Sequence, residues 1–373
     1  MRIAINTRFL LKNRLEGIGR FTYEVSQRLV KRHPNDEFIF LFDRPFDPGF
    51  ITHDNIKAVV IPPPARHPFL WYLWFEWAIP SALRQHKADI FISMDAYCSL
   101  RTNVPTLMVT HDIAHVHYPD QIPFLTRHYY NYFSEHYFKK ADQIVTVSHF
   151  CKQDFIQHYD IDPSKITVAC NGIKPDFQPF SNDKKRAIRS KWSEDQAYFF
   201  YLGAIHPRKN IVRLIQAFDA FKMQSNSAVK LLIAGRFAWQ TSTIKTTYDQ
   251  AVFKRDIHFL GYVSDDDLPA LTGGALAMTY VSLFEGFGVP IIEAMQAGVP
   301  VICSKVSSMP EVGGEAALLV NPLSVQDITT AMLSVYNQAA LRQSMIEKGK
   351  IHCQQFTWEK ATDVVEAAMM KLH

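Results

Sequence analysis

Short apolar runs, rich in β-branched and aromatic side chains, alternate with longer stretches of helical periodicity from one end of the chain to the other. That alternation predicts parallel strands joined by crossover helices. In the first half, strands are expected at 2–6, 38–42, 57–61, 89–93, 106–110, 143–148 and 166–170. After Asn171-Gly172-Ile173 the pattern breaks, and Pro175, Pro179 and the polar run 181–186 read as a connector. A second alternation follows, with strands expected at 198–203, 230–235, 257–261, 275–281, 299–304 and 317–320. The fold class is therefore α/β, two doubly wound parallel sheets, with residues 1–178 in one domain and 179–356 in the next. A length of 373 residues suits two cores of similar mass.

Composition narrows the function classes. Apolar residues make up 47% and charged residues 20%, as in an ordinary globular protein. A net charge of +4 without a basic block gives no reason to expect nucleic acid. The five cysteines are odd in number and scattered, with no C-x-x-C spacing, which points to a reducing, cytoplasmic setting rather than a disulfide framework or zinc ribbon. Met1-Arg2 runs straight into the first strand, so no signal peptide is read. The aromatic segment Phe69-Leu70-Trp71-Tyr72-Leu73-Trp74-Phe75-Glu76-Trp77 is too short to span a bilayer. Two readings of it stand: buried helix packing, and a peripheral membrane-facing patch.

In open parallel sheets, ligands bind beyond the carboxyl ends of the strands, so loops after strands carry the candidate chemistry. Glu16-Gly17-Ile18-Gly19 opens a helix after the first strand, where glycines either admit a phosphate to exposed amides or merely permit a tight turn. His111-Asp112-Ile113-Ala114-His115-Val116-His117 follows the strand at 106–110. Its histidines suggest a metal, but alternate positions beyond a buried strand suit a loop lining a cleft, with His111 either the residue placed to meet substrate or a satisfied structural histidine. The adjacent cations Arg208 and Lys209 precede a helix near Ile211, and a diphosphate would supply their anion. Glu285-Gly286-Phe287-Gly288-Val289-Pro290-Ile291-Ile292-Glu293 places two carboxylates around a glycine turn at a helix start. Gly286 and Gly288 let amides approach a polar ligand, and Glu293 can accept from a vicinal diol such as ribose. The run Asp265-Asp266-Asp267 contains a D-x-D pattern, which helix capping after Ser264 explains better than metal binding.

Together these segments resemble the GT4-type retaining glycosyltransferases of the GT-B fold. The resemblance extends through Val147-Ser148, Asn171-Gly172-Ile173, Gly261-Tyr262-Val263, Ala297-Gly298-Val299-Pro300-Val301 and Phe356-Thr357-Trp358-Glu359, and the two glutamates look like the family's E-x7-E element. It implies two Rossmann-like domains facing a central cleft, with residues 357–373 returning as a helix to complete the N-terminal, acceptor-binding domain. The C-terminal domain would hold a nucleoside diphosphate sugar, GDP- or UDP-linked. Lys209 and Arg208 would neutralise the diphosphate, Gly17 and Gly19 would approach it, and Val263 would meet the base through its backbone. Glu285 with the amides of Phe287, Gly288 and Val289 would hold sugar and phosphate, Glu293 the ribose, and His111 the sugar near the reacting face. Ala204 stands where family members often carry a basic residue, which puts more weight on Arg208.

The implied reaction needs no metal or other cofactor: a hexosyl group, mannosyl favoured, moves to a hydroxyl of a saccharide or lipid-linked saccharide during polysaccharide or glycolipid assembly. The residues 201–210 look most like those of bacterial mannosyl- or hexosyltransferases of polysaccharide assembly. Peripheral contact with the inner membrane face is compatible with such an acceptor. The competing readings are a non-catalytic nucleotide-sugar-binding subunit and a nucleotide-sugar epimerase.

Overall fold

The computed structural model describes residues 1–12, 15–237 and 241–373. The chain divides into two compact units, Met1–Gly172 with Thr357–His373, and Ile173–Phe356. The division falls inside Asn171-Gly172-Ile173, ahead of the position 178 expected from sequence, because the stretch after Ile173 packs with the second unit: Lys174 pairs with Asp265 at 2.8 Å and the Gln178 carbonyl lies against Gly273.

In the first unit, strands β1 (Arg2–Asn6), β2 (Glu37–Phe42), β3 (Ile56–Val60), β4 (Ile90–Ser93), β5 (Thr106–Thr110), β6 (Gln143–Thr146) and β7 (Ile166–Val168) form one parallel sheet in the order β3-β2-β1-β4-β5-β6-β7. In the second, β8 (Tyr198–Leu202), β9 (Lys230–Ala234), β10 (Ile257–Gly261), β11 (Ala277–Tyr280), β12 (Val301–Ser304) and β13 (Ala317–Val320) form a parallel sheet in the order β10-β9-β8-β11-β12-β13. Every expected strand is present. The strand β6 is shorter than expected because its last polar residue leaves the ladder to cap the next helix. Ser148, read as the end of β6, instead accepts from the Cys151 amide at 3.1 Å.

Strands buried on both faces read as continuous apolar runs, as in Phe38 to Phe42. Helices cover them: α1 (Gly17–Arg32), α2 (Pro68–Leu73), α3 (Phe124–Lys140), α4 (His149–Tyr159), α5 (Ile211–Ser225), α6 (Val289–Gln296) and α7 (Trp358–Met370) are those that bear on function. The C-terminal helix α7 belongs to the first unit and lies along α1. Arg28 meets Glu359 at 2.9 Å, while Arg32 meets Asp363 at 2.7 Å and Glu366 at 2.6 Å. These are half-exposed pairs, so the buried Val365 and Met369 contribute more to the docking than the charges do.

The aromatic segment is divided between core and surface. After α2, a π-helical turn over Trp74–Ala78 buries Trp74 and Phe75, and Trp74 Nε1 donates to the Ile61 carbonyl at 2.9 Å. Trp71 packs edge-on against Tyr129 of α3, with ring centres 5.4 Å apart. The Glu76 carboxylate is buried as well and accepts from the Leu100 amide at 3.1 Å; burial raises its pKa against that hydrogen bond. Phe69 and Trp77 remain exposed, Trp77 beneath the Arg101 guanidinium at 4.0 Å. Among the described residues no helix is long and apolar enough to cross a membrane.

This division predicts unequal costs of truncation. Trp74→Ala should destabilise the first unit by roughly 3–5 kcal/mol through the cavity it leaves. Trp77→Ala should cost about 1 kcal/mol or less, the scale of an exposed cation–π contact. Urea unfolding followed by circular dichroism checks both, and equal losses would contradict the assignment.

Candidate active site

Each sheet has one place where the strand order reverses, and crevices form there because successive loops turn to opposite sides. In the second unit that place lies between β8 and β11, which pair through Phe199 with Ala277 and Phe200 with Met278. The loop after β8 carries Arg208 and Lys209, and the loop after β11 carries Glu285. Strand order therefore joins two segments far apart in sequence.

Lys209 Nζ lies 2.6 and 2.7 Å from the two carboxylate oxygens of Glu285. Arg208 Nη1 is 3.9 Å from the same carboxylate and donates to the Phe284 carbonyl at 2.8 Å. Glu285 is 6% exposed. Burial alone pushes its carboxyl upward, but Lys209 and then Arg208 outweigh it and hold the pKa below the usual value. The paired cations thus already face an anion of their own chain.

The backbone that aims these groups is held at both ends. Asn210 adopts a left-handed conformation (φ 62°) and donates through Nδ2 to the Val281 and Pro322 carbonyls at 2.9 and 2.7 Å, tying the β8 loop to the β11 loop. The Leu283 amide donates to the Arg208 carbonyl at 2.8 Å. On the other side, the Glu285 amide donates to Ser307 Oγ at 3.1 Å, and Ser308 Oγ donates to the Glu285 and Phe287 carbonyls, each at 2.9 Å. His206 accepts from the Arg208 amide through Nδ1 at 3.2 Å; burial and then the adjacent cations lower its pKa to about 4, which keeps that nitrogen an acceptor at neutral pH.

Gly288 sits at φ 105°, where side chains are strained, and turns the chain into α6. Gly286, Phe287 and Gly288 are buried, Val289 and Pro290 begin the helix, and Glu293 on α6 is 8% exposed. The N-terminus of α6 follows the glycine turn after Glu285, and the positive end of the helix dipole there suits an anion. Val263 lies in the loop after the edge strand β10 and is buried, beside the exposed Tyr262.

His111, Gly17 and Gly19 belong to the first unit. The His111 ring meets Phe21 of α1 edge-on at 5.3 Å, so the glycine loop and His111 share a neighbour. His111 Nε2 lies 3.3 Å from the Met94 carbonyl. A carbonyl only accepts, so Nε2 carries the proton and Nδ1 is left as an acceptor. Burial lowers the His111 pKa, which favours that neutral form. The glycines differ from each other. A Cβ at Gly19 would stand 2.5 Å from the Phe9 carbonyl oxygen, so its smallness serves packing, whereas a Cβ at Gly17 would meet nothing within 4 Å.

The acidic run 265–267 is explained by its own neighbours. Asp265 pairs with Lys174 at 2.8 Å, Asp267 with Lys191 at 3.0 Å, and Ser264 Oγ accepts from the Asp267 amide at 3.2 Å. Sequence reasoning missed Asn210, Ser307 and Ser308, although Ser307 and Ser308 follow a strand end and satisfy the same criterion that picked out the other loops.

Comparisons with known proteins identify the family and the fold. The family model for glycosyl transferases group 1 matches residues 183–352, and that for glycosyltransferase family 4 matches residues 15–177. The chain is 29% identical to O-antigen chain mannosyltransferase B of Escherichia coli, over 94% of this chain and 95% of that protein. It is 30% identical to the O-antigen chain mannosyltransferase RfbU of Salmonella typhimurium, over 73% of this chain and 72% of that one. In structure it is similar to WaaG, a glycosyltransferase involved in lipopolysaccharide biosynthesis, with a TM-score of 0.79, 16% identity and coverage of 97% and 99% of the two chains. It is also similar to Anabaena HepE solved with UDP and glucose, with a TM-score of 0.76, 17% identity and complete coverage of both. The chain belongs to the group 1, GT4-type glycosyltransferases and has their GT-B fold. It is a glycosyltransferase.

The pair predicts an acid response. Glu285 has a folded pKa below its unfolded value of about 4.3, so its contribution is complete above that pH and is lost as pH falls through the folded pKa. Glu285→Gln should destabilise the second unit at pH 7 by on the order of 1–3 kcal/mol, because Lys209 loses its partner. The difference from the unsubstituted protein should shrink below about pH 4. A pH series of urea unfolding measures it, and a difference that grows on acidification would refute the sign. In the first unit, Gly19→Ala should lower the melting temperature while Gly17→Ala leaves it near the starting value.

Proposed function

We propose that the enzyme is a retaining, metal-independent mannosyltransferase, moving a mannosyl group from a nucleoside diphosphate sugar to a hydroxyl of a growing O-antigen-type saccharide. The observation that carries the reading is the similarity to O-antigen chain mannosyltransferase B across nearly the whole of both chains. The Lys209–Glu285 pair, set directly before the α6 N-terminus, supports a donor site of this kind.

In this reading the glycosidic carbon–oxygen bond to the diphosphate breaks while the bond to the acceptor oxygen forms on the same face of the sugar. The acceptor proton passes to the departing phosphate oxygen. Negative charge therefore grows on the diphosphate, where Arg208, Lys209 and the amides of Phe287, Gly288 and Val289 stabilise the transition state more than the ground state. Glu285 accepts from sugar hydroxyls, Glu293 from the ribose diol, and Val263 meets the base through its backbone. Gly17, which has open space before it, and Gly19 are assigned to the phosphate by motif, and His111 presents Nδ1 to a sugar hydroxyl. The acceptor is a saccharide or lipid-linked saccharide, and the exposed Phe69 and Trp77 support peripheral contact with the inner membrane face.

A thermal-shift screen of GDP, UDP, ADP and their sugars tests the donor. A donor at about 100 times its Kd stabilises by about 2.7 kcal/mol, several degrees for a chain this size. The mannose-bearing nucleotide should give the largest shift and transfer mannose with its anomeric configuration preserved. A glucose or galactose nucleotide as the sole effective donor, or an inverted product, would overturn the proposal.

A further inference from the structure

Three histidines in the loop after β5 raised the question of a metal, and the fold separates them. His111 turns to the Met94 carbonyl, His115 Nε2 lies 3.0 Å from the Tyr159 hydroxyl, and His117 reaches α4. There it meets Asp154 and His158, which stand four residues apart on one helical face. We propose that His117, Asp154 and His158 bind one divalent transition-metal ion of the zinc class.

One ligand atom from each of the three residues lies within 4.8 Å of the others. His117 Nε2 is 2.9 Å from both carboxylate oxygens of Asp154, and His158 Nδ1 is 3.2 Å from one of them. Ligands bonded to zinc at about 2.0–2.2 Å stand roughly 3.0 Å apart at a right angle and about 3.4 Å apart at the tetrahedral angle. The His117–Asp154 and His158–Asp154 separations of 2.9 and 3.2 Å lie close to those values, so an ion would enter with small side-chain shifts. The two imidazole rings stand 5.0 Å apart at 76°, around a carboxylate that is 5% exposed.

The donor chemistry fits as well. Two imidazole nitrogens and one carboxylate suit zinc and its neighbours rather than magnesium or calcium, which take oxygen ligands. His158 Nδ1 also lies 2.8 Å from the Asp154 carbonyl. To bind an ion through Nδ1, the nitrogen that faces the carboxylate, His158 would exchange that hydrogen bond for the metal. The histidines are about a third exposed (29% and 33%), which gives an ion a path from solvent and a position for water.

Helix α4 already holds the His111 loop at a second point, where Cys151 Sγ donates to the His111 carbonyl at 3.2 Å. An ion would therefore fasten both ends of the segment 111–117 to one helix. The consequence for catalysis rests on the role proposed for His111, whereas the site itself does not.

The test uses the full chain, stripped with a chelator and titrated calorimetrically with zinc, with cobalt absorption reporting the ligand field. One equivalent should bind with micromolar or tighter affinity and raise the melting temperature. Asp154→Asn and His158→Ala should each weaken binding by roughly tenfold or more. If Asp154→Asn fails to fold, the exposed His158→Ala decides alone. Absence of stoichiometric binding overturns the proposal, as does binding unchanged by His158→Ala, which would place the zinc on other histidines.

Discussion

The buried ion pair between Lys209 and Glu285 is the constraint on which the proposed donor site depends. Removing a carboxylate from water costs several kcal/mol, recovered only when a cation is held against it with little freedom to move. Here that geometry comes from strand order, since the residues follow β8 and β11, neighbours only because the sheet reverses direction between them. Asn210, Ser307 and Ser308 then hold the two loops by their backbones, so the charged groups are set before any substrate arrives. Preorganised charge of this kind favours a transition state in which phosphate becomes more negative.

The first unit repeats the plan. Its order reverses between β1 and β4, and the residues just beyond those strands, Arg8 and Asp95, form a buried ion pair. That guanidinium lies over the rings of Tyr97 and Phe75, 4.6 and 5.2 Å from their centres. Two sheets of the same winding have each used their reversal point to bury a charged pair, one under an aromatic cover and the other beside a helix N-terminus. The two pairs differ in cover, not in their place in the fold.

What could be read from sequence follows from the range of the interactions. Strands such as 38–42 and 198–202 were legible because burial on both faces writes a local apolar run. The glycine turn before α6 and the paired cations were legible because they are compact motifs. The tie from Asn210 to Val281, the support of Glu285 by Ser307 and the meeting of His117 with Asp154 were not, since each joins distant segments through sheet order. The aromatic run 69–77 could not be divided by composition either: a π-helical turn, invisible in periodicity, decides that Trp74 faces the core and Trp77 the solvent. At Gly19 the motif suggested phosphate, while the nearest obstacle to a side chain is the protein's own Phe9 carbonyl.

The central claim is that Lys209 holds the diphosphate while Glu285 holds the sugar. Calorimetry of a nucleoside diphosphate, with and without its mannose, against the unsubstituted enzyme, Lys209→Ala and Glu285→Gln tests it most directly. The account predicts that Lys209→Ala loses affinity for both ligands, and that Glu285→Gln keeps the diphosphate but loses the increment contributed by mannose. Undiminished diphosphate binding by Lys209→Ala would contradict it.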